Sequence, residues 1–357
     1  MKNNLKVFIN SGLHTEKRGV GFYAQFLSES LSKLDGITLT DKNPDVIHYT
    51  YFDLFYRTLP IFKKTPLVVT IHDLTPLVLW RQYPMGFRSL FNLIYQRIAL
   101  QFVKAVITDS ENSKKDLVNI FRLPPGKIFS IPLACDPLFF RDTTLSQNQT
   151  VKKKYRLPEK FCLYVGGANP NKNLLTLINT TLKLKIPLVM VGSDFTQQMV
   201  KQKGSLKAII GLQPISPELI QLKTIQNLQK NNSKYIITPG FVPTPDLVSF
   251  YKLAAFYCQP SYYEGFGLTV LEAMTAGCPV ISSNTSSLPE LIGDTCLTFD
   301  PYSLLSLEAT ITSLLLLSPQ KRLTLIESAG NRSRQFSWEK CAQASLKVYN
   351  KVSQDEI

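Results

Sequence analysis

Residues 261–281 have the sequence Ser-Tyr-Tyr-Glu-Gly-Phe-Gly-Leu-Thr-Val-Leu-Glu-Ala-Met-Thr-Ala-Gly-Cys-Pro-Val-Ile. The apolar run at 254–257 just before them predicts a short buried strand, and Gly265 and Gly267 permit a tight turn after it. The apolar spacing of residues 268–276 predicts a helix, which the next glycine ends. This stretch therefore predicts the strand–turn–helix unit of a parallel α/β sheet.

Two carboxylates occupy defined places in this unit. Glu264 lies on the strand-to-helix turn, and Glu272 lies about one turn into the helix, leaning back toward its start. Backbone N–H groups at a helix start bind anions such as phosphate, and carboxylates accept hydrogen bonds from hydroxyls. Phosphate donors beside hydroxyl acceptors suit a sugar nucleotide.

The segment resembles the retaining glycosyltransferases of family 4, whose signature is two glutamates separated by seven residues. The match continues through 277–284, 286–290 and 293–294. The resemblance extends over nearly the whole chain, more loosely in the N-terminal half. It implies an α/β protein of the GT-B fold, with two doubly wound Rossmann-like domains that face each other across a cleft.

Composition agrees with a globular enzyme of two domains. The chain has 357 residues, 44% hydrophobic and 18% charged, with a net charge of +14. Its apolar stretches are shorter than the roughly 18 residues that a membrane span needs, and its start is too short in apolar residues for a signal peptide. We therefore expect a cytoplasmic protein whose scattered cysteines are buried free thiols. These are Cys135, Cys162, Cys258, Cys278, Cys296 and Cys341.

Apolar runs alternate with longer helical runs in both halves of the chain, which predicts two parallel sheets covered by helices. The predicted strands are Leu5–Ile9, Val46–Tyr49, Leu67–Ile71, Ala105–Thr108 and Ile128–Ile131, then Phe161–Val165, Leu188–Val191, Tyr235–Ile237, Phe256–Cys258 and Pro279–Ile281. Accordingly, residues 1–150 form an acceptor-side domain and 151–335 a nucleotide-sugar-binding domain. Residues 336–357 form a helix, which the resemblance places back on the N-terminal domain.

Three segments complete the predicted organisation. Residues 132–157 are polar and irregular and are the predicted linker. Residues 192–234 are rich in Lys and Gln and predict a helix or two with a mobile connection. Ser110 and Ser337 are each followed by a helical pattern, so both are predicted N-caps.

The loop that begins Gly166-Gly-Ala-Asn-Pro-Asn-Lys172 follows a predicted strand and leads into a helix. It is neither a Walker loop nor a G-x-G-x-x-G motif, which argues against ATP and NAD. In the family that it resembles, this lysine pairs with the diphosphate of the donor. Many relatives carry Arg directly before the lysine or after the first glycine, where this chain has Asn171 and Gly167, so one cationic contact is missing.

The resemblance assigns further residues to the donor. Val242 would receive the nucleobase through its backbone, Glu272 would bind the ribose hydroxyls, and Glu264 would hold hydroxyls of the donor sugar. Lys172 would stabilise the negative charge on the leaving diphosphate. Besides these four, the predicted donor-binding residues are Gly19, Gly21, Gly166, Gly265, Phe266, Gly267, Leu268 and Thr269.

The N-terminal half contributes two further predicted site elements. Residues 18–23, Arg-Gly-Val-Gly-Phe-Tyr, resemble the family's glycine-rich first loop, which contains Gly19 and Gly21. His72 ends a predicted strand in the sequence Thr-Ile-His-Asp-Leu, and the motif match favours an active-site role. The predicted catalytic residues are therefore Glu264, His72 and Lys172.

Basic groups are concentrated in residues 54–108, which contain seven Lys or Arg and one acid, Asp73. Residues 87–104 mix aromatic and aliphatic residues with spaced Arg, as in a basic amphipathic helix. A solvated basic face and docking on an anionic membrane both fit this composition. Motifs of nucleic-acid-binding folds are missing from the sequence, so nucleic acid is not an expected partner.

The expected activity is the transfer of a hexose to a hydroxyl acceptor with retention of configuration. The resemblance favours mannose, supplied by GDP-mannose. The nucleotide sugar could also be UDP-linked, and the acceptor could be lipid-linked, as in glycan, lipopolysaccharide or glycolipid synthesis. We expect neither a cofactor nor a metal ion, because no Asp-x-Asp metal motif stands out. A non-catalytic sensor or scaffold that binds a nucleotide sugar is the alternative, and the missing Arg is its only support.

Overall fold

A computed structural model describes residues 4–12, 19–62, 64–195 and 217–356. The chain divides into two compact units. The first contains residues 1–134 together with 336–357, and the second contains residues 135–335. Each unit is built around its own parallel sheet of six strands.

The sheet of the first unit has the strand order β2-β1-β3-β4-β5-β6, with all neighbours parallel. Its strands are β1 Leu5–Asn10, β2 Ile37–Leu39, β3 Val46–Tyr49, β4 Leu67–Thr70, β5 Ala105–Thr108 and β6 Ile128–Ser130. Its helices are α1 Gly19–Leu31, α2 Thr75–Val78, α3 Phe87–Gln101 and α4 Glu111–Phe121, with a terminal helix given below. Strands β4 and β5 are buried along their whole length, as expected for a sheet covered on both faces.

The sheet of the second unit has the order β12-β11-β10-β7-β8-β9, again all parallel. Its strands are β7 Cys162–Val165, β8 Leu188–Val191, β9 Ile236–Gly240, β10 Phe256–Gln259, β11 Val280–Ser283 and β12 Leu297–Phe299. Its helices are α5 Leu145–Lys154, α6 Leu174–Lys183, α7 Pro217–Asn231, α8 Thr244–Leu253, α9 Leu268–Thr275, α10 Leu288–Ile292, α11 Leu304–Leu315 and α12 Pro319–Ser333. The chain ends with α13, Trp338–Ser353, in the first unit.

Every strand predicted from the sequence is present, within three residues of its predicted ends. The two unpredicted strands, β2 and β12, are three-residue edge strands. Ser110 and Ser337 cap α4 and α13 as predicted, because each side chain accepts a hydrogen bond from the N–H three residues later. All six cysteines are buried and free. In the segment 192–234, α7 is present, and residues 196–216 lie outside the described residues.

The boundary between the two units falls within the predicted linker at 132–157, but the prediction that this whole segment is irregular is wrong. Residues 145–154 form α5, which begins with a capping box between Thr144 and Gln147 and ends with three lysines in its last turn. Lysines there interact favourably with the negative end of the helix dipole. This helix contacts α8, so the two units divide after residue 134 rather than at 150.

A buried chain of hydrogen bonds ties α13 to the sheet of the first unit. His48 on β3 meets the hydroxyl of Tyr349 at 2.7 Å through Nδ1 and the hydroxyl of Thr70 at 2.8 Å through Nε2. The Thr70 hydroxyl lies 2.9 Å from that of Tyr23 on α1. Burial lowers the pKa of His48 from 6.5 to about 3. The imidazole is therefore neutral in the folded protein, with hydroxyl partners at both nitrogens.

This depressed pKa predicts a pH-dependent contribution to stability. The unfolded chain binds a proton at residue 48 near pH 6.5 and the folded chain only near pH 3, so the contribution is complete above pH 6.5 and is lost as the pH falls toward 3. We expect His48→Gln, which cannot ionise, to lower the urea midpoint at pH 7. The gap between wild type and variant should narrow steadily from pH 6.5 to pH 5. A gap that stays constant over this range would contradict a buried neutral His48.

Candidate active site

The second sheet brings its predicted donor-binding loops to one edge. All of its strands are parallel, so the loops after β7, β9, β10 and β11 leave from the same side. The chain runs from β7 outward to β8 and β9, then returns to place β10 on the other side of β7. Ligands of open α/β sheets bind at such a switch point, in the crevice beyond the carboxyl ends of the strands. Lys172 follows β7 and Glu264 follows β10, so these two residues flank the crevice.

Lys172 and Glu264 form an ion pair. The Nζ atom of Lys172 lies 2.8 Å from both carboxylate oxygens of Glu264. The side chains of Lys172 and Glu264 are 20% and 11% exposed. An ammonium group has three protons, and two of them meet Glu264. The structure thus brings together two of the three predicted catalytic residues, and within the described part of the chain it leaves one N–H of Lys172 for an anion.

A polar network holds the Glu264 carboxylate in place. Its Oε1 accepts hydrogen bonds from Gln259 Nε2, at 2.6 Å, and from the hydroxyl of Ser261. Its backbone N–H donates to Ser286 Oγ at 2.9 Å, and its carbonyl accepts from Ser287 Oγ at 2.9 Å. The turn is therefore fixed from both its side chain and its backbone.

Sequence reasoning did not assign the residues of this network to the site. Ser286 and Ser287 lie in the stretch that resembles family 4. The sequence could therefore place them in the motif, but it could not predict their contact with the Glu264 backbone. Gln259 ends the strand before the turn, and nothing in its sequence context indicates that it reaches the carboxylate. Thr269 was predicted as a donor contact, but its hydroxyl lies 2.8 Å from Tyr257 Oη and 3.2 Å from Gln259 Oε1. It therefore supports the network.

The two positions where relatives carry Arg are used here for packing. Asn171 is 5% exposed, and its side-chain Nδ2 donates to the carbonyl of Tyr263 at 3.0 Å. A Cβ atom on Gly167 would lie 2.9 Å from Asp194 Oδ2, which accepts a hydrogen bond from the N–H of Ala168 at 3.0 Å. An Arg at position 171 would lose the side-chain bond to Tyr263, and any side chain at position 167 would crowd Asp194.

The start of α9 has the geometry that the glycines predict, with one difference. Gly267 has a φ of +101°, and a Cβ there would lie 2.6 Å from Leu288 Cδ2, so only glycine fits the helix start. Gly265 does not have a positive φ. The first N–H groups of a helix lack partners within the helix, which makes the segment from Phe266 to Thr269 a suitable anion-binding end.

Glu272 lies one turn into α9 and is half-buried. Tyr251 Oη donates a hydrogen bond to its Oε2 at 2.9 Å. Burial raises the pKa of the Glu272 carboxyl to about 8, and the charge of Asp136 adds to this, while the hydrogen bond from Tyr251 lowers it. At neutral pH this carboxyl is therefore largely protonated in the empty site. Val242 follows β9 at the same edge of the sheet, with its side chain buried.

In the first unit, His72 follows β4 and is held at both ring nitrogens. Nδ1 lies 2.8 Å from Asp109 Oδ2, and Nε2 lies 3.2 Å from the carbonyl oxygen of Thr50. A carbonyl only accepts, so Nε2 carries a hydrogen. Burial acts to lower the pKa of His72, but the charge of Asp109 and its hydrogen bond outweigh it and raise the pKa. His72 therefore donates from Nε2 to Thr50, while Nδ1 shares a proton with the Asp109 carboxyl, whose pKa is also raised by burial.

The glycine-rich stretch of the first unit is helical where it is described. Gly19 and Gly21 lie in the first turn of α1, whereas a loop was predicted; Arg18 lies outside the described residues. Among the residues that the structure does describe, no three His, Cys, Asp or Glu side chains are grouped as a metal site would require.

Two family models match the chain. "Glycosyl transferases group 1" matches residues 147–332, which are more than half of the sequence, and "Glycosyltransferase Family 4" matches residues 14–137. The chain belongs to the glycosyl transferases group 1 family. It is therefore a glycosyltransferase enzyme of the GT-B fold, and the alternative of a non-catalytic sensor loses its support.

Curated relatives include mannosyltransferases. The chain is 27% identical over 295 residues to the O-antigen chain mannosyltransferase B of Escherichia coli, covering 79% of this chain and 69% of that protein. It is 26% identical over 331 residues to the serotype-specific mannosyltransferase WbdA of Escherichia coli, covering 89% of this chain but 38% of that longer protein. Among solved structures, sucrose-phosphate synthase from Thermosynechococcus elongatus has a TM-score of 0.74 at 18% identity, covering 99% of this chain and 100% of that one, which shows the shared fold.

The ion pair at the crevice predicts a specific pattern of stabilities. Lys172→Met leaves the carboxylate of Glu264 without its cation at a largely buried position, and we expect a loss of roughly 3 kcal/mol in unfolding free energy. Adding Glu264→Gln to Lys172→Met removes the stranded charge and should restore much of this stability. Urea denaturation of both single variants and the double variant tests the coupling. Additive effects would show that the two side chains do not depend on each other.

Proposed function

We propose that this glycosyltransferase moves mannose from GDP-mannose to a hydroxyl acceptor with retention of the anomeric configuration. The observation that carries the proposal is the Lys172–Glu264 pair beside the start of α9. A cation and a helix start favour a diphosphate, and a fixed carboxylate favours sugar hydroxyls. The preference for mannose rests on the relatives that are named mannosyltransferases.

In the proposed reaction, the acceptor oxygen forms a bond to C1 of the sugar as the bond between C1 and the phosphate oxygen breaks. The acceptor proton passes to the departing phosphate, on the same face of the sugar. The third N–H of Lys172 and the first N–H groups of α9 stabilise the charge that develops on the diphosphate. Glu264 is already bound by Lys172, Gln259 and Ser261. It therefore orients sugar hydroxyls instead of attacking C1.

The proposal includes the binding roles of Glu272 toward the ribose and of the Val242 backbone toward the base. It also includes metal independence, because Lys172 and the helix start supply the positive charge that a metal ion supplies in other transferases. Transfer that persists undiminished in excess EDTA would support this, and restoration by added Mg²⁺ after EDTA would contradict it. His72 lies in the first unit with both ring nitrogens hydrogen-bonded, and we assign it to the acceptor side as a residue that shapes the acceptor site.

The proposed acceptor is lipid-linked, used in glycan, lipopolysaccharide or glycolipid synthesis at the cytoplasmic face of a membrane. No helix in the described part of the chain is long and apolar enough to cross a membrane. Contact with an anionic membrane would therefore be peripheral. Of the seven basic groups in residues 54–108, Lys104 forms an ion pair with Asp355, and Lys63 lies outside the described residues.

The donor assignment predicts the outcome of a substrate panel. GDP-mannose, GDP-fucose, UDP-glucose and UDP-galactose are compared for release of nucleoside diphosphate and for transfer to simple mannosides. We expect the highest kcat/KM with GDP-mannose and, by NMR, an α-linked product. Glu264→Gln should lose most of kcat at saturating donor while it still binds GDP. Turnover by Glu264→Gln within a few-fold of wild type would contradict the role of Glu264, and a preference for a UDP sugar would contradict the donor.

The raised pKa of Glu272 predicts that nucleotide binding releases a proton. Ribose hydroxyls donate to a carboxylate and so favour its charged form, which lowers a pKa that is about 8 in the empty site. Calorimetry with GDP at pH 7, in two buffers of different ionisation enthalpy, measures the protons released. On binding GDP, wild type should release nearly one proton per molecule in excess of the number that Glu272→Gln releases. Equal proton release by the two proteins would show that Glu272 does not meet the ribose.

A further inference from the structure

Helix α3 exposes a large apolar face, although part of its inner face is polar. Its buried residues are Asn92, Gln96, Ala99 and Leu100, of which the first two are polar. On the outer side, Phe87 is 85% exposed, Phe91 69% and Ile94 50%. A surface helix normally buries its apolar stripe and exposes its polar residues. The exposed apolar side chains therefore call for a reason outside the unit's own core.

The polar face is bound to the protein through specific hydrogen bonds. Asn92 Nδ2 donates to the carbonyl of Phe55 at 2.7 Å, and Gln96 Nε2 donates to the carbonyl of Asp53 at 2.8 Å. Gln96 Oε1 accepts from the N–H of Leu59 at 3.3 Å. These contacts satisfy the backbone of the segment before β4, so the orientation of the helix is determined by directional bonds.

The outward apolar face is continuous along the helix. At 3.6 residues per turn, its members fall on one side. They are Phe87, Leu90, Phe91, Ile94 and Ile98, followed by Phe102 just beyond the helix. Arg88 and Arg97, both exposed, fall on opposite flanks of this face. This arrangement, an apolar face bordered by cations, is that of a helix lying in a membrane interface.

We propose that the exposed apolar face of α3 inserts into the interface of an anionic membrane, with Arg88 and Arg97 reaching to the lipid phosphates on either side. This inference rests on the peripheral membrane contact proposed above. It assigns most of the membrane affinity to apolar insertion instead of to charge. A second copy of this chain is a poorer occupant, since residues 74–108 contain no acid to meet the arginines. Anionic lipid supplies both the apolar phase and the opposite charge.

Sedimentation with vesicles tests the proposal on the full chain. The vesicles contain phosphatidylethanolamine with phosphatidylglycerol at about one third, a content that gives a strongly negative surface. We expect wild type to bind, and to retain part of its binding at about 0.5 M salt, where charge interactions are screened but apolar insertion is not. The variant Phe91→Ser/Ile94→Ser/Ile98→Ser should lose binding more than about tenfold at low salt as well. Arg88→Gln/Arg97→Gln should lose mainly the salt-sensitive part.

Matched controls separate this inference from the proposed chemistry. Leu305→Ser/Leu316→Ser replaces two side chains that are 71% and 79% exposed in the second unit, and it should bind vesicles like wild type. All variants should hydrolyse the donor sugar nucleotide like wild type, because none touches the crevice. If the triple serine variant binds vesicles as wild type does, or if wild type does not bind them, the proposal is overturned. A change from dimer to monomer on serine substitution would instead assign the face to self-association and would also overturn it.

Discussion

The second unit depends on one constraint: a carboxylate and an ammonium group that the order of strands forces together at the edge of the sheet. Lys172 and Glu264 are 92 residues apart in sequence, but they follow the strands on either side of the switch point. Each would be costly to hold alone at 20% and 11% exposure. Around the pair, Gln259 and Ser261 donate to Oε1 of Glu264, so the turn after β10 has few alternative conformations. A site with this rigidity can orient a substrate without first rearranging.

The two glutamates of the signature have the same chemistry and opposite surroundings. Glu264 meets a cation and two neutral donors, which suits a charged carboxylate. Glu272 accepts a hydrogen bond from the phenol of Tyr251, and its pKa is raised by burial. One residue is therefore ready to accept hydrogen bonds in the empty site. The other becomes a full acceptor only when a ligand supplies donors. In the proposed function, this difference separates the carboxylate that meets the sugar from the one that meets the ribose.

Periodicity predicted the parallel strands well, because buried strands of this kind are nearly continuous apolar runs, as in Leu188–Val191. It failed for residues 145–154, whose polar composition conceals a helix that starts with a capping box. The residues of the crevice could be located by motif, but their contacts could not. Gln259 reaches Glu264 because it is the last residue of its strand. Asn171, at a position where Arg was expected from the resemblance, bonds to Tyr263. Such contacts depend on three-dimensional proximity, which a single sequence does not contain.

Helix α3 shows what composition indicates about the proposed membrane contact and what it leaves out. The excess of basic residues in 54–108 suggested docking by charge, yet Lys104 is paired within the unit and Arg57 packs over the ring of Tyr95 at 4.8 Å. The sequence pattern alone would place the Phe and Ile side chains of α3 inward, since an amphipathic helix buries its apolar face. Asn92 and Gln96 reverse this, because their bonds to backbone carbonyls can be made only from the inner side. Buried polar groups thus determine which face of the helix is outward, and the exposed apolar face then determines what it can bind.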